Sequence, residues 1–212
     1  MSEIKVMDKN LSNKIAAGEV IEKCASVVKE LVENSIDALA TEITITLVEG
    51  GLKEIRVTDN GVGMSEEDAK LAFLRHATSK ITKEDDLYFI NTLGFRGEAL
   101  PSIAAVSIVN LKTCQDNIGI EINIMGGKID SPLKCEARKG TSILIKDLFY
   151  NTPARLKYLK GAKEELILIT AYIEKIALSH PQIKFSLLNN NRSVLKTTGS
   201  GDLLKTIYEI YG

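Results

Sequence analysis

Strand-forming segments follow one another in the middle of this chain without a helix between them, and this order restricts the fold more than any other feature. The segments are rich in Ile, Val and Thr, and glycines mark the turns between them. Neighbouring strands joined by short turns pair antiparallel, because parallel strands need longer crossover connections. Helical patterns flank this region instead of alternating with its strands, which predicts an α+β fold and disfavours a doubly wound sheet. The predicted strands are 106–114, 118–125, 128–136 and 141–149.

Helical spacing dominates the beginning of the chain. Apolar residues recur three and four positions apart around Val27 and Leu31, which predicts a helix from Ser12 to Leu39 that is broken near Gly18. Alternation then predicts a β-hairpin that ends at Asp59. The remaining expectations are a helix starting at Ser65, a long structured loop region over 75–100, a helix at 162–179, a strand pair around 189–191 and a short helix from about Asp202.

Charge and composition exclude several classes of protein. Lys and Arg total 27 against 28 Asp and Glu, so the net charge of -1 is not that of a dedicated nucleic-acid binder. The 3 cysteines are far apart and only 2 histidines are present, which argues against a disulfide framework or a zinc site. The common nucleotide-binding glycine motifs are missing. No apolar run approaches a membrane span of about 18 residues. We expect a soluble intracellular protein with no membrane partner, in the cytoplasm or nucleoid of a bacterium or the nucleus of a eukaryote.

Glu30 and Asn34 lie four positions apart on the first predicted helix, so both side chains project from one face, about 6 Å apart at Cβ. An amide oxygen such as that of Asn34 suits Mg²⁺, which prefers few protein ligands together with phosphate oxygens. Glu30 could then act as the general base that activates a water. The alternative is an ordinary solvated helix face.

Asp59 ends a predicted strand just before a loop that contains Gly61 and Gly63. A carboxylate there could accept a hydrogen bond from an adenine amino group, while the glycines let the backbone approach the base. The alternative is an ordinary Asp-Asn-Gly turn. Thr141, which follows Gly140, could hydrogen-bond near the base or simply start a strand.

A second glycine-rich loop, Gly94-Phe-Arg-Gly97, precedes a helix-compatible segment, and its backbone amides could bind phosphates. Arg96 could contact phosphate or pair with a nearby acid. Lys80 and the hydroxyls before it could contribute, although an isolated lysine is by default a surface cation. The basic stretch from Arg155 to Lys163 could meet DNA phosphates or form a solvated helix edge.

Several strings in this sequence resemble a known family. The helix, the D-x-G-x-G loop and the glycine loop are shared by the wider GHKL group, which includes gyrase B subunits, heat-shock chaperone ATPases and histidine kinases. Other strings closely resemble the N-terminal ATPase region of MutL-type DNA mismatch repair proteins, and nearly the whole chain is covered. The strings are Gly18-Glu-Val, Ser26-Val-Val-Lys-Glu-Leu-Val-Glu-Asn-Ser35, Asp59-Asn-Gly-Val-Gly63, Arg75-His-Ala-Thr-Ser-Lys80, Leu93-Gly-Phe-Arg-Gly-Glu-Ala-Leu100 and Asp147-Leu-Phe-Tyr-Asn-Thr-Pro-Ala-Arg155. Family members often have Arg-Pro at Lys23-Cys24 and Gly at Leu39.

The resemblance implies a two-layer α/β sandwich of the Bergerat type, with ATP as substrate and Mg²⁺ as cofactor. It makes Glu30 the general base, Asn34 the Mg²⁺ ligand and Asp59 the adenine partner. The implied nucleotide-binding residues are Asn34, Asp59, Gly61, Gly63, Thr78, Ser79, Lys80, Gly94, Phe95, Arg96, Gly97, Glu98, Ala99, Leu100 and Thr141.

The resemblance also implies a longer protein. Residues 1–200 are expected to form the ATP-binding domain, and 201–212 the start of a linker to a second domain that supplies a γ-phosphate lysine and most of a weak, nonspecific DNA contact. ATP-driven ordering of the glycine loop and dimerisation with another MutL-type subunit, identical or paralogous, would act as a switch with slow turnover, beside a MutS-type partner. The alternatives are a nucleotide-gated interaction module with negligible turnover, or a topoisomerase- or chaperone-type ATPase of the same group.

Overall fold

The computed structural model describes residues 5–81, 83–88, 92–116 and 118–212. Its helices are α1 (Lys9–Val20), α2 (Cys24–Asp37), α3 (Glu66–Leu71), α4 (Ala99–Ala105), α5 (Pro153–Leu156), α6 (Ala162–Ser179) and α7 (Leu203–Tyr211). Short 3-10 helices occupy Glu49–Gly51 and Glu84–Tyr88. The predicted loop region over 75–100 includes Thr82 and residues 89–91, and the predicted domain over 1–200 includes residues 1–4 and 117, all of which lie outside the described residues.

The strands form one sheet. They are β1 (Glu42–Val48), β2 (Glu54–Asp59), β3 (Ile108–Cys114), β4 (Gly119–Met125), β5 (Lys128–Ile129), β6 (Leu133–Cys135), β7 (Gly140–Lys146), β8 (Lys184–Asn189) and β9 (Arg192–Lys196). Their order is β5-β4-β3-β7-β2-β1-β8-β9, with β6 paired to β4. Strands β1 and β8 run parallel, and every other pair among the described strands is antiparallel. The prediction of an α+β sandwich with a mixed, mostly antiparallel sheet is confirmed.

One face of the sheet is buried beneath helices. In β1 the residues alternate between buried and partly exposed, so that Ile43, Ile45 and Leu47 have no exposed surface. Helix α2 packs on this face through its own buried residues, among them Val28 and Leu31, and α6 lies beside it. Each fully buried side chain of this size contributes about 1.5–3 kcal/mol relative to exposure. This two-layer packing holds the polar edge of α2 next to the end of β2.

The predicted break between two helices is confirmed, although it lies a few residues after Gly18. Gly18 lies inside α1, and the chain leaves the helix only at residues 21–23. Ile21 and Cys24 are both fully buried, and the chain turns between them to place both in the core. The glycine serves close packing instead, because a Cβ at this position would lie 1.5 Å from Cζ of Arg155. The Arg155 guanidinium lies over α1 and donates to the Ile15 carbonyl at 3.1 Å.

The predicted strand 128–136 is two short strands. Both pair with β4, but Asp130, Ser131 and Pro132 separate them. Proline has no backbone N–H to donate to the ladder, which explains the interruption. The helix predicted from about Asp202 is confirmed: Asp202 caps α7 by accepting from the Leu204 N–H at 2.9 Å. Among the described residues, no helix is long and apolar enough to cross a membrane.

Candidate functional site

The polar edge of α2 carries the first group of site residues. Glu30, Asn34 and Asp37 follow one another at helical spacing, while the opposite face of the helix is buried. The helix ends at Asp37, and the Ala38 carbonyl accepts from the Val62 N–H at 3.0 Å. The glycine loop that follows β2 is therefore joined to the C-terminal end of α2.

Asp59 stands at the end of β2 and is surrounded by donors. Its Oδ2 accepts from the Ser35 hydroxyl at 2.9 Å, and its Oδ1 accepts from the N–H of Gly61 at 2.9 Å and of Thr141 at 3.2 Å. Together with Thr113, these residues are called the Asp59 cluster below. The structure thus unites three residues that the sequence singled out, Asp59, Gly61 and Thr141, with Ser35, which it did not.

Burial and hydrogen bonding act on the pKa of Asp59 in opposite directions. Loss of solvent raises the pKa of its carboxyl above the ordinary value of 3.8, and the hydrogen bonds from Gly61, Ser35 and Thr141 lower it in part. The group is thus held in a place that favours the neutral form more than water does. A polar ligand group that donates to the carboxylate would offset part of that cost.

Thr113 organises the Asp59 cluster from beneath. It is fully buried, its hydroxyl accepts from the Met64 N–H at 2.9 Å, and it lies 3.0 Å from the Thr141 hydroxyl and 3.2 Å from the Gly140 carbonyl. Its place on β3 opposite Thr141 on β7 follows from strand register, which no local motif reveals. Sequence reasoning missed it for that reason.

Two glycines let the backbones of the Asp59 cluster come close together. Gly63 has a φ of 71°, and a Cβ there would lie 2.1 Å from the Cys114 carbonyl oxygen. Gly140 has a φ of 118°, and a Cβ there would lie 2.1 Å from the Asp59 carbonyl oxygen. Any other residue at either position would be both strained and in collision.

A second set of contacts lies one turn further along α2. The Lys80 ammonium donates to Asn34 Oδ1 at 3.1 Å and to Asp37 Oδ2 at 2.5 Å. The Asp37 carboxylate also accepts from the N–H of Leu93 at 3.0 Å and of Gly94 at 3.2 Å. These residues, Asn34, Asp37, Lys80, Leu93 and Gly94, are called the Asp37 cluster below.

Asp37 is the third residue, after Ser35 and Thr113, that sequence reasoning missed. Its side chain is only 7% exposed, and its position three residues after Asn34, on the same helix edge, is the signal that could have found it. The predicted residues Asn34, Lys80 and Gly94 do come together, but around this carboxylate.

Glu30 lies in a network of like charges balanced by one lysine. Lys29 contacts Glu30 at 3.3 Å and Glu33 at 3.4 Å. Burial raises the pKa of Glu33, and burial with the two nearby carboxylates raises that of Tyr172. The predicted general base therefore has a cation beside it in this state.

The remaining predicted loop residues are spread along the loop and the helix after it. Arg96 is exposed and stacks over the Phe95 ring at 5.5 Å, and Ser79 is also exposed. Glu98 pairs with Arg75 at 3.2 Å and with His76 at 2.8 Å, so it anchors the end of the loop. Other predicted residues of this region also have structural roles. The Thr78 hydroxyl accepts from the Lys80 N–H, the Gly97 carbonyl accepts from the His76 N–H, and Ala99 and Leu100 begin α4.

The donor set of the Asp37 cluster suits a magnesium ion. Asn34 Oδ1 and Asp37 Oδ2 already share one cation, the Lys80 ammonium, so the two oxygens converge on a common position. Within the described ranges, no group of three or more His, Cys, Asp or Glu residues could hold a metal. Mg²⁺ is usually held by only one or two hard protein oxygens such as these, and it takes its other ligands from water and phosphate.

A cavity of about 670 Å³ lies elsewhere, between α1, α4 and the turn at Gly126–Gly127. Its walls include Arg75 and His76 but neither Glu30, Asn34 nor Asp59. The chemistry described above therefore lies outside this cavity, along the edge of α2.

Known proteins are similar to this chain in fold and in sequence. Residues 21–118 match the family model described as Histidine kinase-, DNA gyrase B-, and HSP90-like ATPase. The structure of the Aquifex aeolicus MutL ATPase domain complexed with ADP superimposes with a TM-score of 0.74 and 32% identity, over 91% of this chain and 70% of that one. The chain belongs to the MutL family. The crystal structure of the N-terminal domain of a DNA repair protein gives a TM-score of 0.83 at 33% identity, over 97% of this chain and 62% of that one.

Curated MutL proteins match over the full length of the chain. DNA mismatch repair protein MutL of Shouchella clausii is 52% identical over 212 residues, which is 100% of this chain and 32% of that protein. MutL of Staphylococcus epidermidis is 54% identical over 213 residues, which is 100% of this chain and 33% of that protein. The chain thus spans about a third of the length of these MutL proteins. The resemblance to the MutL ATPase region is confirmed.

Proposed function

We propose that this chain binds ATP at the edge of α2 and hydrolyses it with Mg²⁺, as the nucleotide-binding part of a MutL-type mismatch repair protein. The observation that carries the proposal is Asp59: a largely buried carboxylate, fixed by three donors, at the end of a strand and beside a glycine loop. A solved MutL ATPase domain that is complexed with ADP supports the choice of ligand.

The Asp59 cluster would select the base. An ionised carboxylate can accept about four hydrogen bonds. Asp59 Oδ1 accepts two and Oδ2 accepts one, so Oδ2 retains capacity for the amino group of adenine. A keto oxygen at the same ring position, as in guanine, would face this carboxylate as acceptor against acceptor.

The Asp37 cluster and Glu30 would act on the phosphates. Asn34 Oδ1 would hold Mg²⁺, which when bound neutralises charge on the phosphate oxygens. The Lys80 ammonium and the Gly94 amide would donate to phosphate oxygens. Glu30, one turn before Asn34 on the same edge, would orient a water and accept its proton.

Turnover would be slow. Lys29 lies 3.3 Å from Glu30 and occupies one of its carboxylate oxygens, so this contact has to open before that oxygen can orient a water. This contact favours the second candidate function, a nucleotide-gated interaction module with negligible turnover. In both cases nucleotide-dependent ordering would control assembly with another MutL-type subunit, with a MutS-type protein and DNA as further partners of the longer protein.

The test compares ATP hydrolysis and ADP binding in Glu30→Gln and in the unchanged chain. Removing a general base is expected to lower the hydrolysis rate by about 100- to 10,000-fold, while ADP affinity stays within about threefold. Glu67→Gln, an exposed glutamate of α3, is the matched control and should change neither quantity. Hydrolysis at an unchanged rate in Glu30→Gln would refute the general-base role, and ADP binding without hydrolysis in the unchanged chain would select the interaction module.

A further inference from the structure

Asp37 contacts two of the donors that the proposed function assigns to phosphate, Lys80 and the Gly94 amide, and also the neighbouring amide of Leu93. Its carboxylate accepts from the Lys80 ammonium, from the Leu93 amide and from the Gly94 amide. Through Lys80 it also acts on Asn34, whose Oδ1 accepts from the same ammonium at 3.1 Å. A single side chain therefore joins α2, Lys80 and the start of the glycine loop.

The hydrogen bonds and the ion pair of Asp37 are shielded from solvent and assisted by charge, and both properties strengthen them. The Asp37 side chain is 7% exposed and that of Lys80 is 21% exposed, so solvent screens the pair less than it would a surface ion pair. Hydrogen bonds to a charged acceptor are about twice as strong as those between neutral groups. Thr92 adds a contact within the segment, because its hydroxyl donates to the Gly94 carbonyl at 2.9 Å.

The same contacts cover Asn34. The position that a Cβ on Gly94 would take lies 3.4 Å from Lys80 Nζ, 3.8 Å from Asn34 Oδ1 and 3.9 Å from Asp37 Oδ2. Gly94 thus lies beside the two oxygens. The Lys80 ammonium occupies the position that a metal shared by Asn34 Oδ1 and Asp37 Oδ2 would take.

We propose that Asp37 acts as a latch on this site in the absence of nucleotide. It holds the Lys80 ammonium as an internal cation on the oxygen pair of Asn34 and Asp37, and it holds residues 93–94 next to that pair. Nucleotide phosphate then displaces the ammonium and residues 93–94 from the Asp37 carboxylate. Phosphate offers Lys80 and the Gly94 amide an anionic acceptor equivalent to the carboxylate, so the donors exchange one partner for another. The oxygen pair that they leave becomes free for the metal. The identity of the displacing ligand rests on the proposed function, whereas the latch contacts do not.

The experiment measures hydrogen exchange at the Leu93 and Gly94 amides and ligand affinity in Asp37→Asn, without divalent metal. Asparagine has the shape of aspartate but carries no negative charge. Its NH₂ group donates hydrogen bonds and accepts none, so it cannot replace the carboxylate oxygen that accepts from Lys80 and Gly94. Without ligand, exchange at the two amides is expected to rise about 10- to 100-fold, the equivalent of one lost charge-assisted hydrogen bond. ADP is expected to bind about 3- to 10-fold more tightly, because it no longer has to displace the latch.

Two controls separate the latch from simpler effects. Adenosine carries no phosphate and in the proposed site would contact the Asp59 cluster alone, so its affinity should be the same in Asp37→Asn and in the unchanged chain. Asp85→Asn removes the same charge from an exposed position in the 3-10 helix and should alter neither exchange nor ADP affinity. Exchange in the buried strand β1 reports whether each variant is folded.

Wild-type exchange rates at both amides in Asp37→Asn would overturn the proposal. Faster exchange with unchanged or weaker ADP binding would also overturn it, since Asp37 would then help to bind nucleotide instead of competing with it. If ADP bound to neither protein, the proposed function would fail, and the exchange rates alone would decide whether Asp37 holds the segment.

Discussion

The Asp59 cluster and the Asp37 cluster both depend on α2, yet they are held in different ways. Asp59 is fixed by a helix hydroxyl and by backbone amides at the end of β2 and the start of β7. Asp37 is instead held by a long lysine side chain and by amides of a loop. Contacts within packed regular elements resist rearrangement, whereas side-chain and loop contacts can exchange partners at low cost. In the proposed nucleotide site, the Asp59 cluster would therefore form a rigid base end, and the Asp37 cluster would form a phosphate end that rearranges on binding.

Asp59→Asn should produce the largest effect and tests the base end. Asparagine can still accept from Gly61 and Thr141 and can donate to Ser35, so the fold should persist. Its NH₂ group faces the ligand as a donor, which opposes the amino group of adenine. We expect the affinity for ADP to fall by about 100-fold or more, as for other sites that lose a matched buried hydrogen bond.

The measurement is calorimetric titration with ADP, with circular dichroism as the check on folding. Ser142→Ala is the matched control, because this hydroxyl lies on the neighbouring strand position and contacts Thr58 at 2.9 Å instead of Asp59. If Asp59→Asn bound ADP as tightly as the control does, the role of Asp59 in selecting the base would be refuted.

Replacing one glycine by alanine beside each of the two clusters compares the rigidity of the Asp59 cluster with that of the Asp37 cluster. Gly140→Ala adds a Cβ 2.1 Å from the Asp59 carbonyl at a φ of 118°, and we expect it to lower the free energy of unfolding by about 2–4 kcal/mol. Gly94→Ala places a Cβ no nearer than 3.4 Å to its first neighbour, Lys80 Nζ, which is the end of a flexible side chain, and should cost less than about 1 kcal/mol. Urea unfolding measures both, and equal losses would contradict the comparison.

The pH dependence of stability provides the smallest effect. Because burial raises the pKa of Asp59 in the folded protein, the folded state binds this proton more readily than the unfolded state at pH values just above 3.8. Its contribution to stability is therefore greatest at low pH and falls as pH rises through the folded pKa. We expect Asp59→Asn to be stabilised relative to the unchanged chain at pH 7, by a margin that shrinks toward pH 4.

Urea unfolding of both proteins across this range measures the margin. A margin that grew on acidification would mean that the three donors outweigh burial. The hydrogen bonds from Gly61, Ser35 and Thr141 would then set the charge state of Asp59.

Local patterns were enough to predict most of the fold. Alternation and glycine turns predicted the hairpins, and the capping sequence at Ser65 predicted α3, where the Ser65 hydroxyl accepts from the Asp68 N–H at 3.1 Å. The packing role of Gly18 was not predicted because it depends on Arg155, which lies 137 positions away in the sequence and packs on α1 only after the fold has formed. Long-range packing of this kind leaves no periodic signal.

The candidate site divides in the same manner. Asp59, Gly61 and Thr141 were found because strand ends and glycines mark them, whereas Ser35, Asp37 and Thr113 were missed because their partners come from other elements. Leu39 is a related case. It has a φ of 60°, a left-handed conformation that suits glycine, so the glycine that the family resemblance implies at this position has a reason that lies in the backbone and not in any sequence pattern.

The parallel pairing of β1 with β8 has a consequence for biosynthesis. Strand β1 is flanked by β2, which follows it within a few residues, and by β8, which lies more than a hundred residues further along the chain. During translation the β1–β2 hairpin and α2 can form early, but one edge of β1 remains unpaired until β8 leaves the ribosome. An exposed strand edge is a template for association with other chains. We therefore expect the nascent chain to need protection by chaperones for most of its synthesis.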